Sequence, residues 1–328
     1  MTRILGLGNA LIDLITEIPG DESLTALGLP KGSMTLVDAG RAAAITVLTE
    51  KYPLTLKSGG SAANTIFGLA RLGIHSGFIG KTGRDALGDH YEKELVVSGI
   101  LTRLIKSQTP TGRAVALISP DSERTFAVYL GAAMELSADD LQGSHFAGFD
   151  HLHIEGYLVQ NHALMVRALE LATQYGLTIS LDLASYNVVT ENHAFLMEII
   201  LKYVDMVFAN EEEARSLTGL EPEPAIEAIS LLCNTAIVKT GKEGSLIRRD
   251  GNTLRISATE ARPIDTTGAG DIYAAGFLYG LSKGHDLRIC GNIASLLAGR
   301  VIEIKGARLA DEDWEDLMPR IKRIAAEG

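Results

Sequence analysis

The sequence predicts an α/β fold: a doubly wound, mostly parallel sheet flanked by helices, with a small β-strand lid. Three observations predict it. From residue 151 onward, short apolar runs (152–154, 178–183, 206–209 and 236–239) alternate with amphipathic stretches of helical length. That alternation belongs to a parallel sheet covered on both faces. Between 111 and 130 the texture changes to two β-rich runs, 111–119 and 124–130, joined by Pro120-Asp121-Ser122-Glu123, a hairpin signal. Late in the chain a glycine turn, Asp265-Thr266-Thr267-Gly268-Ala269-Gly270-Asp271, runs straight into an apolar segment of helical length.

Taken in order, residues 4–7 read as a buried strand ending at Gly8-Asn9-Ala10-Leu11-Ile12-Asp13. Gly6 and Gly8 begin a Gly-x-Gly pattern, but Leu11 stands where a dinucleotide fingerprint needs Gly or Ala against its helix. Residues 14–18 are extended again and end at Pro19-Gly20, so no helix opens and a Rossmann oxidoreductase is disfavoured. Gly80-Lys81-Thr82 ends like a P-loop, yet His75 occupies the place of its first glycine. Ser58-Gly59-Gly60-Ser61 opens a helix over 62–72 that stops at Gly73. A strand (76–79) and a helix (86–97) follow, and three helices close the chain at about 271–283, 287–304 and 311–326. One domain over 1–328 is expected, with a discontinuous lid inside it at about 14–38 and 110–131.

At 328 residues and 46% hydrophobic, the chain can bury a large core. A net charge of −11 without a basic block argues against nucleic acid or an anionic membrane surface as partner. Cys233 and Cys290 sit in apolar runs and read as buried thiols, not a disulfide or a zinc site. Met1-Thr2-Arg3-Ile4-Leu5-Gly6 enters a strand-like run with no long apolar region, so no signal peptide is expected. No apolar stretch approaches the roughly 20 residues that span a bilayer. The expectation is a soluble, cytoplasmic protein acting on a small molecule. His151 and His153 share one strand face, but no third ligand has suitable spacing, so buried histidines are the better reading.

The chemistry concentrates in the glycine turn. Gly268 and Gly270 permit positive φ and close approach of backbone to a ligand, at a helix N-terminus whose free N–H groups favour an anion. Asp271 stands at the mouth of that pocket and can take a proton. Donors for a phosphate beside a carboxylate are the parts for phosphoryl transfer to an alcohol. The bland alternative is a helix cap with Asp271 stabilised by the dipole. In a parallel sheet, ligands sit at the carboxyl ends of the strands, where Asn9, Asp13, Gly59, Gly60 and Asn64 fall. Carboxylate and amide groups there suit the vicinal hydroxyls of a sugar.

The glycine turn resembles the C-terminal signature of the ribokinase-like (PfkB) carbohydrate and nucleoside kinases. Ser58-Gly59-Gly60-Ser61-Ala62-Ala63-Asn64 is similar to their N-terminal signature, and Asn210-Glu211-Glu212-Glu213 to their Asn-x-x-Glu motif. The resemblance covers residues 4–310 and implies a ribokinase-like fold and an ATP- and Mg²⁺-dependent kinase. It implies Asp271 as general base on the accepting hydroxyl and the N–H groups of Gly268, Ala269 and Gly270 as an anion hole. Asp271 is expected to keep an ordinary carboxylate pKa near ~3.9 and to be ionised at neutral pH. Glu213, with Asn210, would order Mg²⁺ through its waters, whereas Glu211 and Glu212 read as plain first-turn acids. Lys239, Thr240, Gly241 and Gly244 would form the strand-end turn beside ATP, with Thr267 near the phosphates and Asn292 near the adenine. Asp265, Thr266 and the Gly306-Ala307 turn lie where many of these kinases hold a monovalent cation such as K⁺.

The segments 8–13, 29–38 and 124–133 look most like the adenosine-kinase-like branch. Leu11, Met34, Tyr129 and Tyr157 would supply an apolar wall for a base, and stacking there is worth roughly 1–3 kcal/mol. Adenosine or another purine nucleoside is therefore the preferred acceptor. Ribose or another furanose, or a sugar acid, is the alternative. A non-catalytic nucleotide or sugar sensor on the same fold is the rival class, and Asp271 argues against it. Gly59-Gly60 is expected to act as hinge for lid closure, and exposed lid edges leave monomer and lid-mediated homodimer both open.

Overall fold

The computed structural model describes residues 2–49, 51–121 and 123–326; Met1 and Ser122, which entered the readings above, lie outside them. Its strands are β1 (Arg3–Leu7), β2 (Leu11–Glu17), β3 (Met34–Leu36), β4 (Thr55–Gly59), β5 (His75–Gly83), β6 (Leu101–Ser107), β7 (Gly112–Ile118), β8 (Arg124–Tyr129), β9 (His151–Glu155), β10 (Thr178–Asp182), β11 (Met206–Asn210), β12 (Thr235–Lys239), β13 (Ser245–Arg249) and β14 (Asn252–Ile256). Nine of them form one sheet in the order β14-β13-β12-β11-β10-β9-β1-β5-β6. It is parallel from β6 to β12 and antiparallel over the last two strands. This is the doubly wound, ribokinase-like architecture.

Strand alternation builds a core on each face. In β1, Ile4 packs under the helices Ser61–Arg71, Ala269–Ser282 and Leu287–Val301, while Leu5 and Leu7 point to His162–Gln174 and His193–Tyr203. Phe208 and Phe277 meet edge-on at 5.7 Å, joining β11 to the helix Ala269–Ser282. Burial of each such ring is worth about 1.5–3 kcal/mol. Glycines let that helix lie close on its neighbour: a Cβ on Gly276 would come within 2.8 Å of the Ala294 Cα.

The five other strands make a second sheet, β3-β8-β7-β2-β4. Its edge strand β4, at 55–59, lies outside the ranges 14–38 and 110–131, and β2 starts at residue 11 instead of 14. Leu56 is the one bulky apolar side chain of Thr-Leu-Lys-Ser-Gly, so β4 carries no period to detect. β6 was also unforeseen. As the edge strand of the large sheet it needs one paired side only, and Leu-Thr-Arg-Leu-Ile-Lys-Ser keeps polar residues. The hairpin β13–β14 closes the opposite edge through Asp250-Gly251, both at positive φ, the two-residue turn favoured by Asp-Gly. No helix among the described residues is long and apolar enough to cross a membrane.

The parallel arrangement brings the ends of β1, β9, β10, β11 and β12 to one rim. Asn9, Glu155, Asp182, Asn210 and Lys239 stand there together.

Candidate active site

Between that rim and the small sheet lies a cleft of ≈ 2010 Å³. At its centre is Asp271. The helix Ala269–Ser282 starts from Gly268 at φ 76°, and Asp271 falls in its first turn. The helix Ser61–Arg71 starts opposite, after Gly60 at φ 105°. Ser61 Oγ donates to Asp271 Oδ1 at 2.7 Å, and Asn64 Nδ2 to Oδ2 at 2.9 Å. Thr65 Oγ1 donates to the Asp271 carbonyl at 3.0 Å. Two helix N-termini thus converge on one carboxylate. Its pKa is nevertheless pushed up to about 6 by burial, against the two hydrogen bonds, which corrects the expectation of an ordinary value.

The glycine turn is open toward the cleft. The Ala269 N–H is used by Thr266 O at 3.2 Å, so of the three expected donors only those of Gly268 and Gly270 have no acceptor among the described residues. Lys239 Nζ lies beside them, 3.0 Å from where a Cβ on Gly270 would stand. The same ammonium donates to Asp182 Oδ2 at 2.9 Å. Lys239 is held protonated against burial by Asp182 and Glu213. Gly241 and Gly244 line the cleft as the hairpin turn between β12 and β13. Thr240 is buried behind them, its hydroxyl without a partner among the described residues.

Asn210 and Glu213 line the cleft next to Lys239 and Asp182. They form a reciprocal helix cap: Asn210 Oδ1 accepts from the Glu213 N–H at 2.8 Å, and Glu213 accepts from the Asn210 N–H at 2.8 Å and from Nδ2 at 2.7 Å. Burial, with Asp182 nearby, raises the Glu213 pKa. Glu211 and Glu212 remain exposed first-turn acids at the cleft edge.

At the other end, Asn9, Leu11, Asp13, Gly60 and Tyr157 line the cleft, and Met34 stands exposed at its mouth. The Asp13 carboxylate accepts no hydrogen bond from a described residue, and its pKa is pushed up to about 6 by burial, against Arg308. Gly59 lies underneath: any Cβ there would run into the Asp13 carboxyl group.

Three expectations are corrected. Tyr129 does not line the cleft; strand alternation turns Phe126 and Val128 inward and leaves the Tyr129 ring against Arg113, 5.6 Å away. Asn292 is absent from the lining, which its helix supplies from Ser295, Ala298 and Gly299. Asp265 and Gly306 are set back from the cleft, though Thr266 and Thr267 reach it. Asp265 is engaged by the guanidinium of Arg124 from β8, by the Gly306 N–H at 2.6 Å and by Thr267 Oγ1 at 2.7 Å. Asp265, expected to face a monovalent cation, is thus paired with an arginine.

Four residues escaped sequence reasoning: Ser61, Glu155, Asp182 and Arg124. Glu155 is fully buried and accepts from Asn9 N and Nδ2 (3.0 and 2.6 Å) and from the Ala62 N–H (3.0 Å). Its pKa is pushed up to about 7 by burial. Glu155 and Asp182 end β9 and β10, so the rule placing ligands at strand ends was a signal for both. His151 and His153 hydrogen-bond to Thr178 and Ser180 inside the sheet, at 2.7–2.9 Å.

The model of the pfkB family of carbohydrate kinases matches residues 34–314. An adenosine kinase structure from Sinorhizobium meliloti is 32% identical, covering 97% of this chain and 99% of its own, with a TM-score of 0.84. A probable sugar kinase structure from Rhizobium etli is also 32% identical over 98% and 99% of the two chains, with a TM-score of 0.85. An uncharacterized sugar kinase from Archaeoglobus fulgidus is 28% identical over 243 residues, 74% of this chain and 96% of its own.

Proposed function

This chain belongs to the pfkB family of carbohydrate kinases, and from that premise we propose that it moves the γ-phosphoryl of ATP to the 5′-hydroxyl of a purine nucleoside, adenosine first. The observation that carries the acceptor is the apolar patch beside Asp13 on the same face of the small sheet: Leu11, Phe126, Val128 and Leu130 line the cleft with it, as does Tyr157. Asp13 accepts the sugar hydroxyls and the wall takes the base, worth roughly 1–3 kcal/mol where it stacks. The adenosine kinase likeness supports the same reading.

Asp271 accepts the proton of the 5′-hydroxyl as the new O–P bond forms and the β–γ bridge bond breaks. Ser61 and Asn64 aim it. The N–H groups of Gly268 and Gly270, with the Lys239 ammonium, stabilise charge on the transferring group. Asp182, Glu213 and Asn210, engaged with one another and with Lys239, would hold Mg²⁺ through its waters and not directly, and the ion would there neutralise phosphate oxygens. With Arg124 on Asp265, no monovalent cation is assigned a role. The small sheet acts as a lid within a single domain, hinged at Gly59-Gly60, and excludes water when closed.

The test is ADP release with Mg²⁺ and ATP against adenosine, inosine, guanosine, ribose and fructose, with Asp271→Asn alongside. A nucleoside response lost in the variant supports the reading. A response to sugars alone keeps Asp271 and removes the base wall; this is the second reading, favoured by the likeness to sugar kinases. No response to any acceptor favours a sensor.

A further inference from the structure

Gly306-Ala307-Arg308 touches both ends of the cleft without lining it. Gly306 donates to Asp265 at 2.6 Å. Ala307 packs beneath the glycine turn, where a Cβ on Gly268 would lie 2.7 Å from the Ala307 Cα. Arg308 reaches the opposite way. Its guanidinium lies flat on Phe67, 3.3 Å from the ring centroid, and Nη1 stands 3.4 Å from Glu94 Oε2. That Glu94 oxygen also accepts the Ser58 N–H at 2.7 Å, one residue before Gly59. Arg308 Nε and Nη2 are buried without partners among the described residues.

A buried guanidinium is costly unless its charge and its donors are used. Glu94 meets part of that need. The charged and titratable groups facing Arg308 are Glu94, Tyr91 and Asp13, and those facing Asp13 are Arg308, Asp271 and Lys57. Asp13 is thus an unpartnered carboxylate in the cleft with a buried cation behind it. We propose that Arg308 is a positioning residue for the acceptor, supplying the positive potential behind Asp13 and fixing the Gly59 end of β4. Through Gly306 and Ala307 it ties the acceptor end of the cleft to the glycine turn. Its kinetic consequence rests on the kinase reading above; its effect on Asp13 does not.

Arg308→Met, Asp13→Asn and the double variant should be melted at pH 5 and pH 8. Without Arg308, ionised Asp13 loses its cation. The melting temperature of Arg308→Met should therefore fall further at pH 8 than at pH 5, by about 2–4 °C, and Asp13→Asn should remove that excess. Arg308→Lys should remove the pH-dependent part and keep the loss of stacking on Phe67. Equal losses at both pH values, or additive losses in the double variant, overturn the proposal. Should Arg308→Met fail to fold, Glu94→Gln decides instead. It keeps an acceptor for Ser58 while leaving Arg308 to Asp13, so in a His90→Gln background, which removes the imidazole 3.8 Å from Glu94, its stability relative to that background should be higher at pH 8 than at pH 5; no pH difference overturns the proposal. With adenosine as acceptor, or ribose if adenosine is not turned over, the acid limb of kcat/KM in Arg308→Met should move up by about one pH unit, KM for ATP staying put. If the parent phosphorylates neither, the kinase reading falls and the melting experiment still decides Arg308.

Discussion

Asp271 is drawn between two helix N-termini, yet burial leaves its pKa at about 6, above the ordinary aspartate value. A carboxyl group raised in this way favours the fold when protonated. That contribution is complete below the unfolded pKa, lost as pH rises toward 6, and gone above it. Asp271→Asn should therefore melt higher than the parent at pH 8 and no higher at pH 4, while ADP release falls by roughly 10²–10⁴-fold. Thermal scans at the two pH values beside the kinase assay check both halves; equal melting at pH 8 would mean the charge is better solvated than the geometry implies. In the parent, kcat should fall on the acid side with a midpoint near pH 6. His151 and His153 act with the opposite sign. Burial holds them at about 3 and about 4, so the stability present above the ordinary imidazole pKa of 6.5 is lost progressively as pH falls from there toward about 3. Asp271, Asn64, Gly268 and Gly270 were legible because each lies in a contiguous run whose backbone chemistry reads locally. Glu155 and Asp182 are lone charges in the sequence, and they, like Arg124, meet their site partners only when distant strands align.

At the scale of elements, an ion pair joins the small sheet to the glycine turn, Arg124 on Asp265. Arg124→Met should loosen that attachment, raising KM for the acceptor and lowering kcat together, as steady-state rates at varied adenosine would show. The opposite rim depends on Gly60. At φ 105° it already occupies backbone space that other residues rarely enter, and any Cβ would strike the Asn9 carbonyl. Gly60→Ala should cost at least about 1–3 kcal/mol by urea unfolding. If the small sheet closes, adenosine should slow amide exchange in β3 and β8; unchanged exchange would remove the lid. The sequence located β7, β8 and the helix Ala86–Val97 well, because period and caps agree there. It missed β4 and β6, edge strands of their sheets with little period, and β13–β14, whose Asp250-Gly251 turn was a readable signal left unused.

For the whole molecule, alternation of strand and helix from 151 onward was enough to predict the large sheet, since a buried parallel strand must be apolar along its length. Which hydroxyl compound fills the cleft was less legible, because the wall is assembled from β2, β8 and the segments after β8 and β9. The partners that hold Asp271 lie far away along the chain: Asn64 is 207 residues earlier and Ser61 is 210. Arg308 and Glu94 are 214 apart. At ~5–20 residues per second, Asn64 is synthesised roughly 10–40 s before Asp271. During that interval the first half of the cleft can fold against nothing, so nascent chains should be blind to substrate until the last helices emerge. The same order should govern refolding from urea, with helical signal returning ahead of adenosine binding. Ligand added early should leave the fast phase unchanged.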